Sequence, residues 1–129
     1  MRLKHLFIAS VLAVAGLVSA PAPSVVEAQS KFELRCGWFS NPTPGNAWLI
    51  DKNGEWTIGV QGGYQADGDW PDLSGRQWIE TNVHYGYGCA CIRASFDRKA
   101  ERVIEIKSAY GRPLSTCRND RALRRKEPK

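Results

Sequence analysis

Past residue 18 the chain has no apolar run long enough to cross a bilayer, which excludes a helical anchor in that region. Histidine is nearly missing: His5 and His84 are the only two, and the second stands beside Tyr85 with no other imidazole near it in sequence. That argues against a histidine-rich metal centre and against a nucleophile–histidine triad. No glycine-rich phosphate cradle, internal repeat or low-complexity linker is present. Leu and Ile are scarce. Charge of one sign is also missing from the body, since Gln29 to Cys117 carry ten Lys/Arg against ten Asp/Glu. The net charge of +5 comes mostly from Arg118 to Lys129, where six basic residues face Asp120 and Glu127. A neutral body with a basic end lacks the footprint of a nucleic-acid-binding face, so no nucleic-acid partner is expected.

The start of the chain is of a different kind. Arg2 and Lys4 precede an apolar stretch from Leu6 to Val18, too short for an anchor and of the length of a signal-peptide h-region. Val26-Glu27-Ala28 before Gln29 suits cleavage better than Ala20 or Ala22, each of which precedes proline. The expected organisation is a signal peptide over 1–28, a disulfide-stapled β domain over 29–120 and a basic C-terminal tail over 121–129. The expected location is periplasmic or secreted, and the expected state a monomer. About 100 residues would remain after cleavage. A body that small buries only ~60–70% of its unfolded surface, so cross-links matter.

Short β signals dominate that body. Phe32, Leu34 and Cys36 alternate on one face, and two prolines in Asn41-Pro42-Thr43-Pro44-Gly45-Asn46 should interrupt regular structure. Ala47–Ile50 and Glu55–Gln61 flank Asp51-Lys52-Asn53-Gly54, a strong hairpin signal. Trp56, Ile58 and Val60 share a face. Gly62 to Gly75 reads as a loop, and Gln77–Asn82, Tyr87–Asp97 and Arg102–Ser108 as strands. Gly86 and Gly88 read as turn or bulge devices. The expected fold is mainly β: a small single-domain antiparallel sandwich or open barrel of about six short strands with a short C-terminal helix.

Cys36, Cys89, Cys91 and Cys117 follow an export signal, which favours disulfides over free thiols. Cys89 and Cys91 point to the same side of a strand and fit a bond to each other poorly. The expected solution sends one to Cys36 and the other to Cys117, the assignment being left open. The competing reading is a redox-active or metal-handling protein built on the Cys89-Ala90-Cys91 pair.

All five tryptophans fall between Trp38 and Trp78. Most are expected in the core, with Trp70 the best candidate for exposure. Asp67, Asp69 and Asp72 lie within six residues but lack the spacing of a calcium loop, so a solvated loop is expected. No acid–base pair or nucleophile stands out, and no catalytic residue, metal or cofactor is assigned. The candidate binding surface is Trp38, Asn41, Asn46, Tyr64, Asp67, Asp69, Trp70, Tyr85 and Tyr87. The basic tail reads as a frayed, solubilising end.

Cys36-Gly37-Trp38-Phe39, Asn41-Pro42-Thr43-Pro44-Gly45-Asn46, Gln61-Gly62-Gly63-Tyr64 and Tyr85-Gly86-Tyr87-Gly88-Cys89-Ala90-Cys91 together resemble a family of small exported bacterial proteins of unknown function. The resemblance runs from about Cys36 to Asp120 and implies a signal-bearing, cysteine-containing single domain with no established activity. The function expected is that of an exported binding domain without a catalytic site. Its ligand would be an envelope protein or a cell-wall glycan, and inhibition of an envelope enzyme is one version of this.

Overall fold

The computed structural model describes residues 16, 17, 19–22 and 31–129. The expected cleavage point after Ala28 lies outside the described residues, as does most of the leader read over residues 1–28. Six strands follow in order: β1 Glu33–Thr43, β2 Asn46–Asp51, β3 Gly54–Gly59, β4 Trp78–Asn82, β5 Tyr85–Asp97 and β6 Arg102–Arg112. One short helix, α1 Leu114–Arg118, comes after them, with single 3-10 turns at Gly75–Gln77 and Arg124–Lys126.

Polar side chains set the turns. Asp51 Oδ1 accepts the N–H groups of Asn53 and Gly54, which fixes the β2–β3 hairpin where the Asn-Gly pair predicted it. Asp97 Oδ1 does the same for Lys99 and Ala100 between β5 and β6. The proline-rich segment corrects an expectation, because β1 continues through Pro42 to Thr43 before turning at Gly45 (φ +72°). The β1–β2 register shifts between Ser40 and Thr43, so Pro42 sits at an irregularity where a missing N–H is tolerated.

The sheet order is β1-β2-β3-β6-β5-β4, and β1 also pairs with β5, so five strands close on themselves. β5 uses one edge for β1 and splits the other, pairing with β4 over Tyr85–Gly88 and with β6 over Cys89–Asp97. The ring closes weakly. β3 and β6 run parallel and share one register pair, Thr57 with Arg102. Loop residues reinforce this seam: Ala66 N–H donates to the Ile58 carbonyl and Asp67 N–H to that of Ile104, while the Asp67 carbonyl accepts from Ile106. OB-type barrels are likewise five-stranded and partly open, and such a likeness carries architecture but no function.

Alternation along β1 and β5 sends side chains into two separate cores. The barrel interior holds Phe39, Leu49, Trp56, Ile58, Ala90, Ile92, Ala94, Val103 and Ile106. Small residues on β5 leave room there for the larger ones opposite. On the outer face, Trp38, Tyr87, Cys89, Cys117 and Leu123 form a second cluster under the C-terminal segment. Leu34 and Cys36 share a face as expected, but it is the outer one, both being exposed while Arg35 is buried; Phe32 precedes the strand. Val60 lies past the end of β3 and is exposed, unlike Trp56 and Ile58.

Both disulfides lie on β5. Cys36 bonds Cys91, its direct cross-strand neighbour, and Cys89 bonds Cys117 at the end of the chain's only α-helix among the described residues. Each cysteine of the Cys89–Cys91 pair thus takes a different partner, and no described cysteine is free.

Candidate functional site

The Gly-Tyr-Gly string positions one wall of a cleft. A Cβ on Gly86 would collide with the Ile79 carbonyl, and one on Gly88 with the Gln77 carbonyl. Both glycines lie inside β5 and admit the backbone of Gln77 and Ile79 at close range; neither makes a turn, and the register irregularity of this pairing falls on β4 opposite Gly86 and Tyr85. With β4 held there, Trp78 leans toward the barrel mouth, its Nε1 donating to the His84 carbonyl at 3.0 Å.

The opposite wall comes from the long loop. Trp70 packs edge-on to Phe39, with ring centroids 6.1 Å apart, and Trp78 lies 6.2 Å from the same Phe39 ring. Both indoles are only half-buried, whereas Phe39 is buried. Between them opens a cleft of about 390 Å³ whose polar lining includes Asn41, Asp72, Ser74, Glu80 and His84. Ser74 and His84 both line it, but among the described residues no hydrogen bond joins them. The chemistry on offer is ring stacking, amide contacts and carboxylates.

A larger cleft, about 510 Å³, lies near the start of β1 and is walled by charge. Four of its charged groups pair with one another. Arg35 Nη1 donates to Asp51 Oδ2 at 2.8 Å and Nη2 to Glu33 Oε2 at 3.0 Å, while Arg98 Nη2 donates to Glu33 Oε1 at 2.9 Å. The Arg35 guanidinium also packs against the Trp56 and Phe96 rings, 4.6 and 4.8 Å from their centroids, and the two rings themselves meet edge-on at 5.1 Å. This network holds the barrel end together. Nothing in the sequence reading identified it, because an arginine in a β-alternating run reads as a solvated residue.

The residues expected to form one binding surface divide. Asn41 and Trp70 meet in the aromatic cleft. Trp38 is 0% exposed and Tyr87 only 8%, which removes both from any surface; they pack edge-on at 5.6 Å in the outer core. Asn46 and Asn41 serve the turn, Asn46 Nδ2 donating to Thr43 Oγ1 and Asn41 Nδ2 to the Thr43 and Asn46 carbonyls. Tyr64 donates its hydroxyl to the Val103 carbonyl under the Arg102 guanidinium, away from the cleft lining. Tyr85 stacks on His84 at 4.2 Å beside the cleft. Asp67 and Asp69 are exposed on the loop leading to Trp70. Trp78 and Glu80 were not among the residues singled out as a surface, and only the chain topology brings them to Trp70 and Asp72.

The basic tail is docked. Leu123 is 4% exposed, its carbonyl accepts from Trp38 Nε1 at 2.9 Å, and Lys126 Nζ donates to the Asp51 carbonyl at 2.8 Å. Glu127 accepts from Arg118 Nη2 at 2.7 Å and from the Tyr87 hydroxyl at 3.0 Å. The hydrogen bond from Arg118 holds the Glu127 carboxyl below its ordinary value. Burial, followed by the contact with Glu127, pushes the Tyr87 phenol up. These contacts overturn the reading of a frayed end.

Among the described residues no group of three or more His, Cys, Asp or Glu side chains is placed to hold a metal ion, and no helix is long and apolar enough to cross a membrane. No curated protein and no solved structure matches the chain. A family model does match, over residues 30–124, and its description is "Protein of unknown function (DUF4087)". That match takes in most of the chain, including the whole barrel, both disulfides and the cleft, and the chain belongs to this family.

Proposed function

We propose that the protein is an exported, non-catalytic binding domain whose recognition site is the cleft between Trp70 and Trp78. The ligand class is an envelope protein or a cell-wall glycan. The observation that carries this reading is the pair of half-buried indoles that flank Phe39 and line one concave cleft together with polar side chains. Aromatic anchors in a concave site with a polar rim are the usual source of binding energy in such domains. Export is supported by the two disulfides.

The test is retention of partners from an envelope extract on the immobilised 29–129 chain, compared with Trp70→Ala and Trp78→Ala variants. The expected result is a ligand that the parent chain retains and the variants lose while their far-UV circular dichroism is unchanged. Equal retention by folded variants would refute the assignment of the cleft.

A further inference from the structure

Acidic side chains in this molecule fall into two groups. Glu33, Asp51, Asp97, Glu105 and Glu127 each have a Lys or Arg partner. Asp72 and Glu80, which line the aromatic cleft, have none among the described residues, and neither do Asp67 and Asp69 on the loop leading to Trp70, nor Glu55, Glu101 and Asp120 elsewhere on the surface. No Lys or Arg lines that cleft; Arg76 belongs to the same loop and is exposed, but it is not part of the lining. Two half-buried indoles thus share the lining with carboxylates, and no Lys or Arg in the lining offsets that negative charge.

That combination selects for positive charge. A cation over an indole face gains from the ring, and unpaired carboxylates beside it add a Coulomb attraction that nothing in the site already satisfies. An uncharged sugar would stack on the indoles and donate hydroxyl hydrogen bonds to the carboxylates but bring no positive charge to offset theirs, and an anionic polymer would be repelled. We propose that the occupant is a lysine or arginine side chain presented by an envelope polypeptide. This deepens the binding reading above and rests on it.

Two sets of variants separate the inferences. Retention from envelope extract is measured for the parent chain, for Trp70→Ala and for the Asp72→Asn/Glu80→Gln double variant, whose changes are exposed and isosteric. In parallel, a short acetylated peptide containing alternating glycine with lysine and arginine is titrated by tryptophan fluorescence, against its glutamine-substituted counterpart and against soluble cell-wall glycan fragments. The expected result is saturable binding of the basic peptide alone. The double variant should weaken it by about tenfold, and raising the salt from about 0.05 M to about 0.5 M should weaken it further. Retention that needs Trp70 but is indifferent to the double substitution would overturn the cationic occupant and leave the binding site standing. Glycan fragments binding better than the peptide would have the same meaning. Retention indifferent to Trp70 as well would overturn both.

Discussion

Arg35 Nη1 donates to Asp51 Oδ2 at 2.8 Å, and the two side chains are only 7% and 4% exposed. Two strands that are neighbours in the barrel, β1 and β2, are thus joined by a buried ion pair as well as by their backbone ladder. Asp51 spends its other oxygen on the hairpin turn, so one carboxylate serves both.

Breaking that pair should be costly. Asp51→Ala leaves a buried guanidinium with only Glu33 and loses the turn bonds, and a destabilisation of about 3–5 kcal/mol is expected. Arg35→Met should cost less, since it keeps an apolar stem against Trp56 and Phe96 and removes the buried Arg35 Nε, which has no hydrogen-bond partner among the described residues. Urea unfolding of the two variants checks the order, and Arg35→Met falling below Asp51→Ala would refute it.

The C-terminal segment should behave as part of the domain. Leu123→Ala removes a buried side chain from the outer core and is expected to cost about 2–4 kcal/mol. Deleting residues 121–129 uncovers Trp38 and takes away the acceptor of its Nε1. A red shift of tryptophan emission is expected, together with a lower unfolding midpoint; a deletion variant indistinguishable from the parent would show that the segment does not hold the outer core.

Stability should fall at both ends of the pH scale through the Tyr87–Glu127–Arg118 cluster. Glu127 titrates below its ordinary value of 4.5 when folded, so its contribution is present above that value and is lost as pH falls through the lowered one. Tyr87 titrates above 10.0 when folded, so its contribution is present below pH 10.0 and is lost as pH rises toward the raised value. Glu127→Gln should flatten the acid limb measured by thermal unfolding from pH 3 to 7 (a span of roughly four units). An acid limb unchanged in the variant would place the titrating group elsewhere.

The two disulfides should differ in accessibility. Cys36 is exposed, whereas Cys89 and Cys117 are 1% and 0% exposed. Under mild reductant the Cys36–Cys91 bridge should open first, as read by alkylation and peptide mass. With sequence separations of 55 and 28 residues, the bridges contribute about 4 and about 3.5 kcal/mol in the chain-entropy model. Simultaneous or reversed opening would mean that exposure does not control the order.

The strands were legible where periodicity and turn chemistry agreed, as in Tyr87–Asp97 and in the Asn-Gly hairpin. So was the division of Cys89 and Cys91 between distant partners, because strand geometry alone forbids the short ring. Three things could not be read. Arg35 is buried because β1 is covered on its inner face by rings that come from β3 and β5, a fact about topology rather than about local pattern. Trp38 and Tyr87 looked like surface aromatics because the tail that covers them is polar in composition, with Leu123 its one large apolar residue. The cleft itself is assembled from β1, the long loop and β4, and Trp78 reaches Trp70 only because two glycines let β4 approach.

The seam between β3 and β6 has one further consequence. Both sulfur bridges attach to β5, tying it to β1 and to α1, so neither joins β3 to β6 across the seam. The cylinder can unroll there into an open ribbon while every covalent bond stays whole, and amide protons of Thr57 and Asp67 should exchange with deuterium well before those along β5. Oxidation therefore fastens β5 to β1 and to the C-terminal helix and leaves the closure of the ring to hydrogen bonds and packing.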